Sequence, residues 1–108
     1  MRLLITSAQG TGVSVVEPDD LKRLSVESRL TDPGQVATAL HRAGAGRLDG
    51  DHAWLDTDFL RRTAAPAEPA TWTTEFDAMI RYADRHGWVS PDGRQVRAHV
   101  DWTARADG

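Results

Sequence analysis

Short runs of apolar and β-branched residues lie near the start of the chain and are bounded by glycine or proline, which is the pattern of β-strands. Residues 2–7 and 12–16 form two such runs, joined by a segment that contains glycine, and they predict an N-terminal hairpin. After Pro18 we expect a short turn of helix and then a strand over residues 24–29. The first quarter of the chain is therefore expected to be mostly sheet.

The first complete helix is predicted over residues 33–43, because both of its ends carry a capping signal. Asp32 can accept hydrogen bonds from the first free N–H groups, and Gly44 can adopt the left-handed conformation that ends a helix. Residues 44–50 are then expected to form a loop, and residues 52–55 a short strand.

Two further helices follow in the second half of the chain. One is capped by Asp56 or Thr57 and ends before Pro66, since a proline cannot donate to a helix interior. The other is the longest periodic segment, over residues 72–86, with Thr71 as the expected N-cap. Its apolar residues share one helical face: Trp72, Phe76, Met79, Ile80 and Ala83.

The chain closes with a second predicted hairpin, whose arms are residues 88–89 and 94–102 on either side of a Ser-Pro-Asp-Gly turn. Residues 103–108 are expected to be a frayed tail. The longer arm alternates strictly, so its apolar residues should face the core: Val96, Ala98, Val100 and Trp102.

Strands at both ends of the chain, with helices between them, favour an α+β fold over a repeating strand and helix order. We predict one domain over residues 1–102. Its small antiparallel or mixed sheet is built from the N-terminal hairpin, a middle strand and the C-terminal hairpin, with three helices packed on one face. A chain of 108 residues has room for one core and about one site.

The composition excludes several classes of protein. Hydrophobic residues make up 40% of the chain and charged residues 27%, which is far from the composition of disordered proteins. The absence of cysteine excludes disulfides, thiolate metal sites and a cysteine nucleophile. The apolar run near the N-terminus is too short for a secretion signal, and no run is long enough to span a membrane. We therefore expect a cytoplasmic protein with no membrane partner.

The net charge argues against nucleic acid as a partner. The chain has 13 basic and 16 acidic residues, and the basic residues are spread along it rather than gathered. Residues 82–100, a helix end followed by a hairpin, resemble the recognition helix and wing of winged-helix DNA-binding domains. This resemblance implies DNA binding, but Asp77 and Asp84 lie on the helix that would enter the groove, which disfavours phosphate contact.

Two features select candidate functional residues. The polar face of the last strand carries Arg97, His99 and Asp101. The chain also has four tryptophans, and we expect most of them to fill a core that is poor in phenylalanine, with at least one exposed at a binding surface. Trp54 and Trp88 complete the candidate surface.

No metal or cofactor is expected. His99 and Asp101 could supply two ligands of an iron site, but the third histidine would have to come from elsewhere in the chain, at 41, 52 or 86. The aspartates around residues 49–58 lack the calcium-loop pattern and are better explained as helix caps and solvated charges. The glycines of residues 9–12 precede a β-branched run rather than a helix, so they do not form a phosphate cradle.

No group of residues supplies both a nucleophile or base and the side chain that would orient it, so we favour a non-catalytic protein. The leading hypothesis is a small interaction or accessory module that binds another protein or a second copy of itself. The alternative is a small-molecule binder or simple acid–base enzyme. Its pocket would lie among Trp54, Trp88 and His99, with Arg97 as an anion clamp.

Overall fold

The structure is a computed structural model that describes residues 1–8 and 12–102. The predicted tail and most of the glycine-containing segment of the first hairpin lie outside the described residues. The helices are α1 (Pro33–Ala43), α2 (Thr57–Thr63) and α3 (Pro69–Arg85). The strands are β1 (Arg2–Ile5), β2 (Val13–Val16), β3 (Ser25–Ser28), β4 (Gly46–Asp49), β5 (His52–Asp56) and β6 (Gln95–Trp102).

All six strands form one mixed sheet in the order β2-β1-β3-β6-β5-β4, and with the helices they make a compact α+β fold. The three central strands β1, β3 and β6 are parallel to one another. The outer pairs, β1 with β2, β6 with β5 and β5 with β4, are antiparallel. The expected α+β class with a mixed sheet is confirmed at this level.

At the C-terminus, the two arms of the expected hairpin meet only in a short antiparallel contact. The first arm does not form a strand, and its only ladder contact among the described residues is the bridge between Val89 and Val96. Strand β6 instead lies inside the sheet between β3 and β5. Its long apolar alternation suits an interior strand, whereas Trp88 and Val89 are too few to pair along its length.

One face of the sheet is apolar and the other is polar, as the strand registers show. Leu3 of β1, Val26 of β3 and Val100 of β6 are direct register partners, and all three are buried. Residues that alternate with them point to the opposite face, where His99 and Asp101 are exposed. The alternation predicted for the last strand is therefore confirmed. Buried side chains of all three helices belong to the same core cluster as the apolar face.

Helix α1 has the ends that the sequence indicates. The Asp32 side chain accepts a hydrogen bond from the Gly34 N–H at 3.1 Å, and Gly44 ends the helix in the left-handed region with φ of 69°. Helix α3 begins earlier than expected, at Pro69 rather than Trp72, because proline is already preset for the first helical position. Thr71 is therefore inside the helix and is not its cap.

Two further segments differ from expectation. Residues 17–24 contain turns, one of them closed by a hydrogen bond from Asp20 N–H to the Glu17 carbonyl, but no helix. The expected loop after α1 contains strand β4, which pairs with β5 at the edge of the sheet. Gly46 allows this pairing, since a β-carbon there would lie 2.0 Å from the Trp54 carbonyl oxygen.

Within the described residues, no helix is both long and apolar enough to cross a membrane.

Candidate functional site: a cleft beside the central strand

Strand β6 changes its neighbour halfway along one of its edges. Near its start, Arg97 N–H donates to the Trp88 carbonyl at 2.7 Å, in the short antiparallel contact that also includes Val89 and Val96. From His99 onward, the same edge pairs with β3, which begins at Ser25. The segment of Trp88 and the start of β3 therefore leave a gap beside Ala98.

This gap is the mouth of a cleft with a volume of about 280 Å³. Helix α3 contributes Met79, Tyr82 and Ala83 to its wall, and the segment before β3 contributes Lys22 and Leu24. Two buried residues of β6 contribute further apolar surface to the cleft. The remaining lining residues are His52, Trp88, Val96, Arg97, Ala98 and His99.

An aromatic cluster forms one side of the cleft. The His86 ring stacks on Trp88, with ring centroids 4.7 Å apart and planes at 20°. Tyr82 lies against both, with centroid distances of 4.5 Å to His86 and 6.2 Å to Trp88. Tyr82 is 55% exposed and Trp88 36% exposed, and these are the two exposed large hydrophobic residues of the described chain. The cluster thus presents flat apolar surface to solvent at the cleft.

The charged side chains that line the cleft are all basic. Lys22 and Arg97 are its permanent cations, and none of the aspartates and glutamates among the described residues lines it. Neither cation forms an ion pair with any carboxylate of residues 1–8 and 12–102. The chain as a whole has a net charge of −3, so the cleft is positively charged on a protein that is negative overall.

Two histidines stand on the polar side of the cleft because of the register between β5 and β6. His52 pairs directly with His99, and their rings meet edge to face with centroids 5.6 Å apart. Among the described residues, no carboxylate or hydroxyl group forms a hydrogen bond with either histidine. The pair offers N–H groups to a ligand but has no side chain that would orient it for proton transfer.

The structure brings together three of the five residues in the candidate surface. Trp88, Arg97 and His99 all line the cleft, whereas Trp54 and Asp101 do not. Trp54 lies on the same sheet face, but Arg47 covers its ring at 5.4 Å and its indole N–H donates to Asp49 at 3.2 Å. Asp101 lies farther along β6, beside its register partner Glu27.

The tryptophans as a group do not fill the core, contrary to expectation. Only Trp72 is buried, with its indole N–H donating to the Pro18 carbonyl at 2.6 Å. Trp54 and Trp102 are half-buried and donate to Asp49 at the end of β4 and to Asp51 in the turn that follows it. The core is filled mainly by aliphatic side chains of the sheet and the helices, together with Phe59 and Phe76.

Sequence reasoning missed Lys22, His52, Met79 and Tyr82 as members of the site. His52 could have been found from the pairing of two strands with a polar face each, since it lies opposite His99. Lys22 is brought to the cleft only by the parallel pairing of β3 with β6, which leaves no local signal. Tyr82 shows as an aromatic outside the apolar face of its helix.

The other motifs considered in the sequence have the following places in the described part of the chain. No group of three histidine, aspartate or glutamate side chains there lies close enough to hold a metal ion. Asp56 caps α2 through Phe59 N–H at 2.9 Å, as expected for an aspartate of the acidic loop. The segment that resembles a wing ends in β6, which lies inside the sheet between β3 and β5.

Comparisons of the chain with models of protein families, with curated proteins and with solved structures found no match.

Proposed function

We propose that this protein binds a small organic molecule in the cleft between helix α3 and strand β6. The observation that supports the proposal most directly is the convergence of an aromatic wall with a basic side chain that has no ion pair among the described residues. Trp88 and Tyr82 supply flat apolar surface, and the unpaired side chain of Arg97 lines the same cleft. A concave, mostly apolar site with a few convergent polar groups is the usual form of a ligand pocket.

The size of the cleft sets the size of the ligand. A dry cavity of roughly 150 Å³ holds a benzene molecule, so a volume of about 280 Å³ corresponds to roughly 11 non-hydrogen atoms. At about 0.4 kcal/mol per atom, such a ligand would bind with a Kd of roughly 1 mM before any strong polar contact is counted. Simple aromatic probes of this size are therefore suitable for a test.

The test is a titration with 3-phenylpropan-1-ol, a neutral probe of this size, followed by amide chemical shifts in NMR spectra. We expect concentration-dependent shifts at residues of α3 and β6 that line the cleft, with a Kd of roughly 1 mM. Trp88→Ala should remove the shifts without changing the melting temperature by more than a few degrees, because Trp88 is partly exposed. Trp54→Ala is the matched control and should leave them unchanged.

A titration that produces no shifts at the cleft residues, or shifts that survive Trp88→Ala, would contradict ligand binding at this place. Folding of each variant is checked by its circular dichroism spectrum, so loss of binding and loss of structure are separated.

The exposed cluster of Tyr82, His86 and Trp88 also favours a second candidate, an interaction module that associates with another copy of the chain. Exposed aromatics are enriched at protein interfaces. Sedimentation velocity over a hundredfold range of concentration should then show a dimer that Tyr82→Ser disrupts. A monomer at all concentrations would remove this candidate without affecting the first.

A further inference from the structure

We infer that the ligand of the cleft is an organic anion, with a flat apolar body against Trp88 and Tyr82 and an acidic group between Lys22 and Arg97. The inference rests on the proposed function and adds the chemical class of the ligand. It follows from the charges around the cleft, the free hydrogen-bonding groups within it and the separation of apolar and basic surface along it.

The charges favour an anion because the lining, as far as the described residues form it, holds two permanent cations and no carboxylate. Charged side chains on a protein surface are usually interspersed in sign, and two arginines elsewhere in the described part of the chain form ion pairs. Arg2 pairs with Glu17 and Glu27, and Arg61 pairs with Asp77. Lys22 and Arg97 form no such pair within residues 1–8 and 12–102, so their charges are available to a ligand.

The donors are available as well. No hydrogen bond from the side chain of Lys22, Arg97, His52 or His99 to another described residue is present. Arginine presents a planar set of donors that matches a carboxylate in a bidentate contact, and lysine adds a point charge. The two histidines beside them offer N–H groups and add no negative charge at any pH.

The two kinds of surface are segregated in the way that an amphipathic anion requires. Arg97 and His99 belong to the polar face of β6, whereas Met79 and Ala83 approach from helix α3 on the other side of the gap. A ligand in the gap therefore meets basic groups on the side of β6 and apolar groups on the side of helix α3. A cationic ligand would be repelled at the same entrance.

The test compares three probes with the same body and different charge: 3-phenylpropionate, 3-phenylpropan-1-ol and 3-phenylpropylamine. Their dissociation constants are measured by NMR titration of the full chain at pH 7.5 and low salt. We expect the carboxylate to bind at least about tenfold more tightly than the alcohol, since a charge-assisted hydrogen bond accounts for a factor of this size. The amine should bind more weakly than the alcohol.

Three variants locate the effect. Arg97→Gln should weaken the carboxylate by about five- to tenfold and the alcohol by less than about twofold, because only the carboxylate uses the charge. Arg47→Gln removes a cation from the same sheet face outside the cleft and should change neither probe by more than about twofold. Lys22→Gln is expected to act in the same direction as Arg97→Gln, with a smaller change because Lys22 is exposed.

The outcomes separate the inference from the proposed function. Equal binding of all three probes, lost in Trp88→Ala, would keep the ligand site and overturn the anion. Tighter binding of the amine than of the carboxylate would also overturn it. Absence of binding by every probe would overturn the proposed function and, with it, the inference. An equal loss for the carboxylate in Arg97→Gln and Arg47→Gln would show a general charge effect and contradict the assigned contact.

Discussion

Replacement of Phe76 by alanine tests whether helix α3, which forms one wall of the cleft, is anchored as the structure shows. The Phe76 side chain is fully buried, and its ring stacks on Trp72 at 4.8 Å with planes at 21°. The guanidinium of Arg61 lies over the same ring at 4.7 Å. Removal of a buried phenylalanine costs about 3 to 5 kcal/mol. Because the ring also makes stacking and cation–π contacts, we expect Phe76→Ala to lower the free energy of unfolding by about 4 to 5 kcal/mol.

The neighbouring Asp77→Ala is the control, since it lies one residue away on the same helix. Asp77 forms an ion pair with Arg61, and both side chains are substantially exposed, at 42% and 36%. Such pairs contribute little, so the expected cost is below about 0.5 kcal/mol. A domain of this length has a total stability of about 5 to 15 kcal/mol, so the two variants should differ plainly.

The assay is urea unfolding followed by circular dichroism at 222 nm, with the slope of the transition compared between variants. Phe76→Ala should lower the midpoint strongly at unchanged slope, and Asp77→Ala should leave it close to that of the wild type. A difference of less than about 2 kcal/mol between the two would refute the packing of this helix. The wall that carries Met79 and Tyr82 would then have to be placed differently.

Three further outcomes follow from the fold. Val100→Asp should unfold the domain in a circular dichroism spectrum, because it places an unpaired carboxylate in the core on a central strand; a cooperative melt near that of the wild type would contradict this. Gly46→Ala should cost about 2 to 5 kcal/mol through its clash with backbone, whereas Gly50→Ala, which has open space around it, should cost only about 1 kcal/mol; equal losses in denaturant unfolding would contradict the edge pairing. The Ser90 hydroxyl donates a hydrogen bond to the Asp92 carboxylate and is the main cause that lowers its pKa from the ordinary value of 3.8. The Arg94 N–H also donates to this carboxylate and lowers its pKa further. Its stabilising effect is therefore present above pH 3.8 and lost as the pH falls through the lowered value, and an NMR titration of Ser90→Ala should show the pKa of Asp92 rising toward 3.8.

The parts of the fold that the sequence predicts are those with a local cause. Helix α1 carries a cap at each end, and the alternation from Gln95 to Trp102 shows which residues of β6 are buried. Strand β4 has no such cause, since it has only four residues and a single aliphatic side chain, Leu48. The strand forms because Gly46 lets the chain approach the Trp54 carbonyl. This contact cannot be predicted from the sequence before the position of β5 is known.

In the candidate site as well, the sequence predicts only the features that have a local cause. Periodicity alone places Arg97 and His99 on the polar face of a strand, and tryptophan is so rarely buried completely that at least one of the four is expected at the surface. The cleft itself arises because β6 changes its neighbour from the Trp88 segment to β3. Parallel pairing between strands about 75 residues apart in the chain has no local signature. Lys22 could therefore not be assigned to the site from its surroundings in the sequence.

Transfer of magnetisation between bound 3-phenylpropionate and the protein tests most directly whether the cleft is the binding site and how the ligand lies in it. In an isotope-filtered NOE experiment, the phenyl protons should show contacts to the Met79 methyl group and to ring protons of Trp88. The methylene group next to the carboxylate should show contacts to the side chain of Arg97. Contacts to the ring of Trp54 instead, or phenyl contacts to Arg97 with the methylene group against Met79, would contradict the site or the orientation.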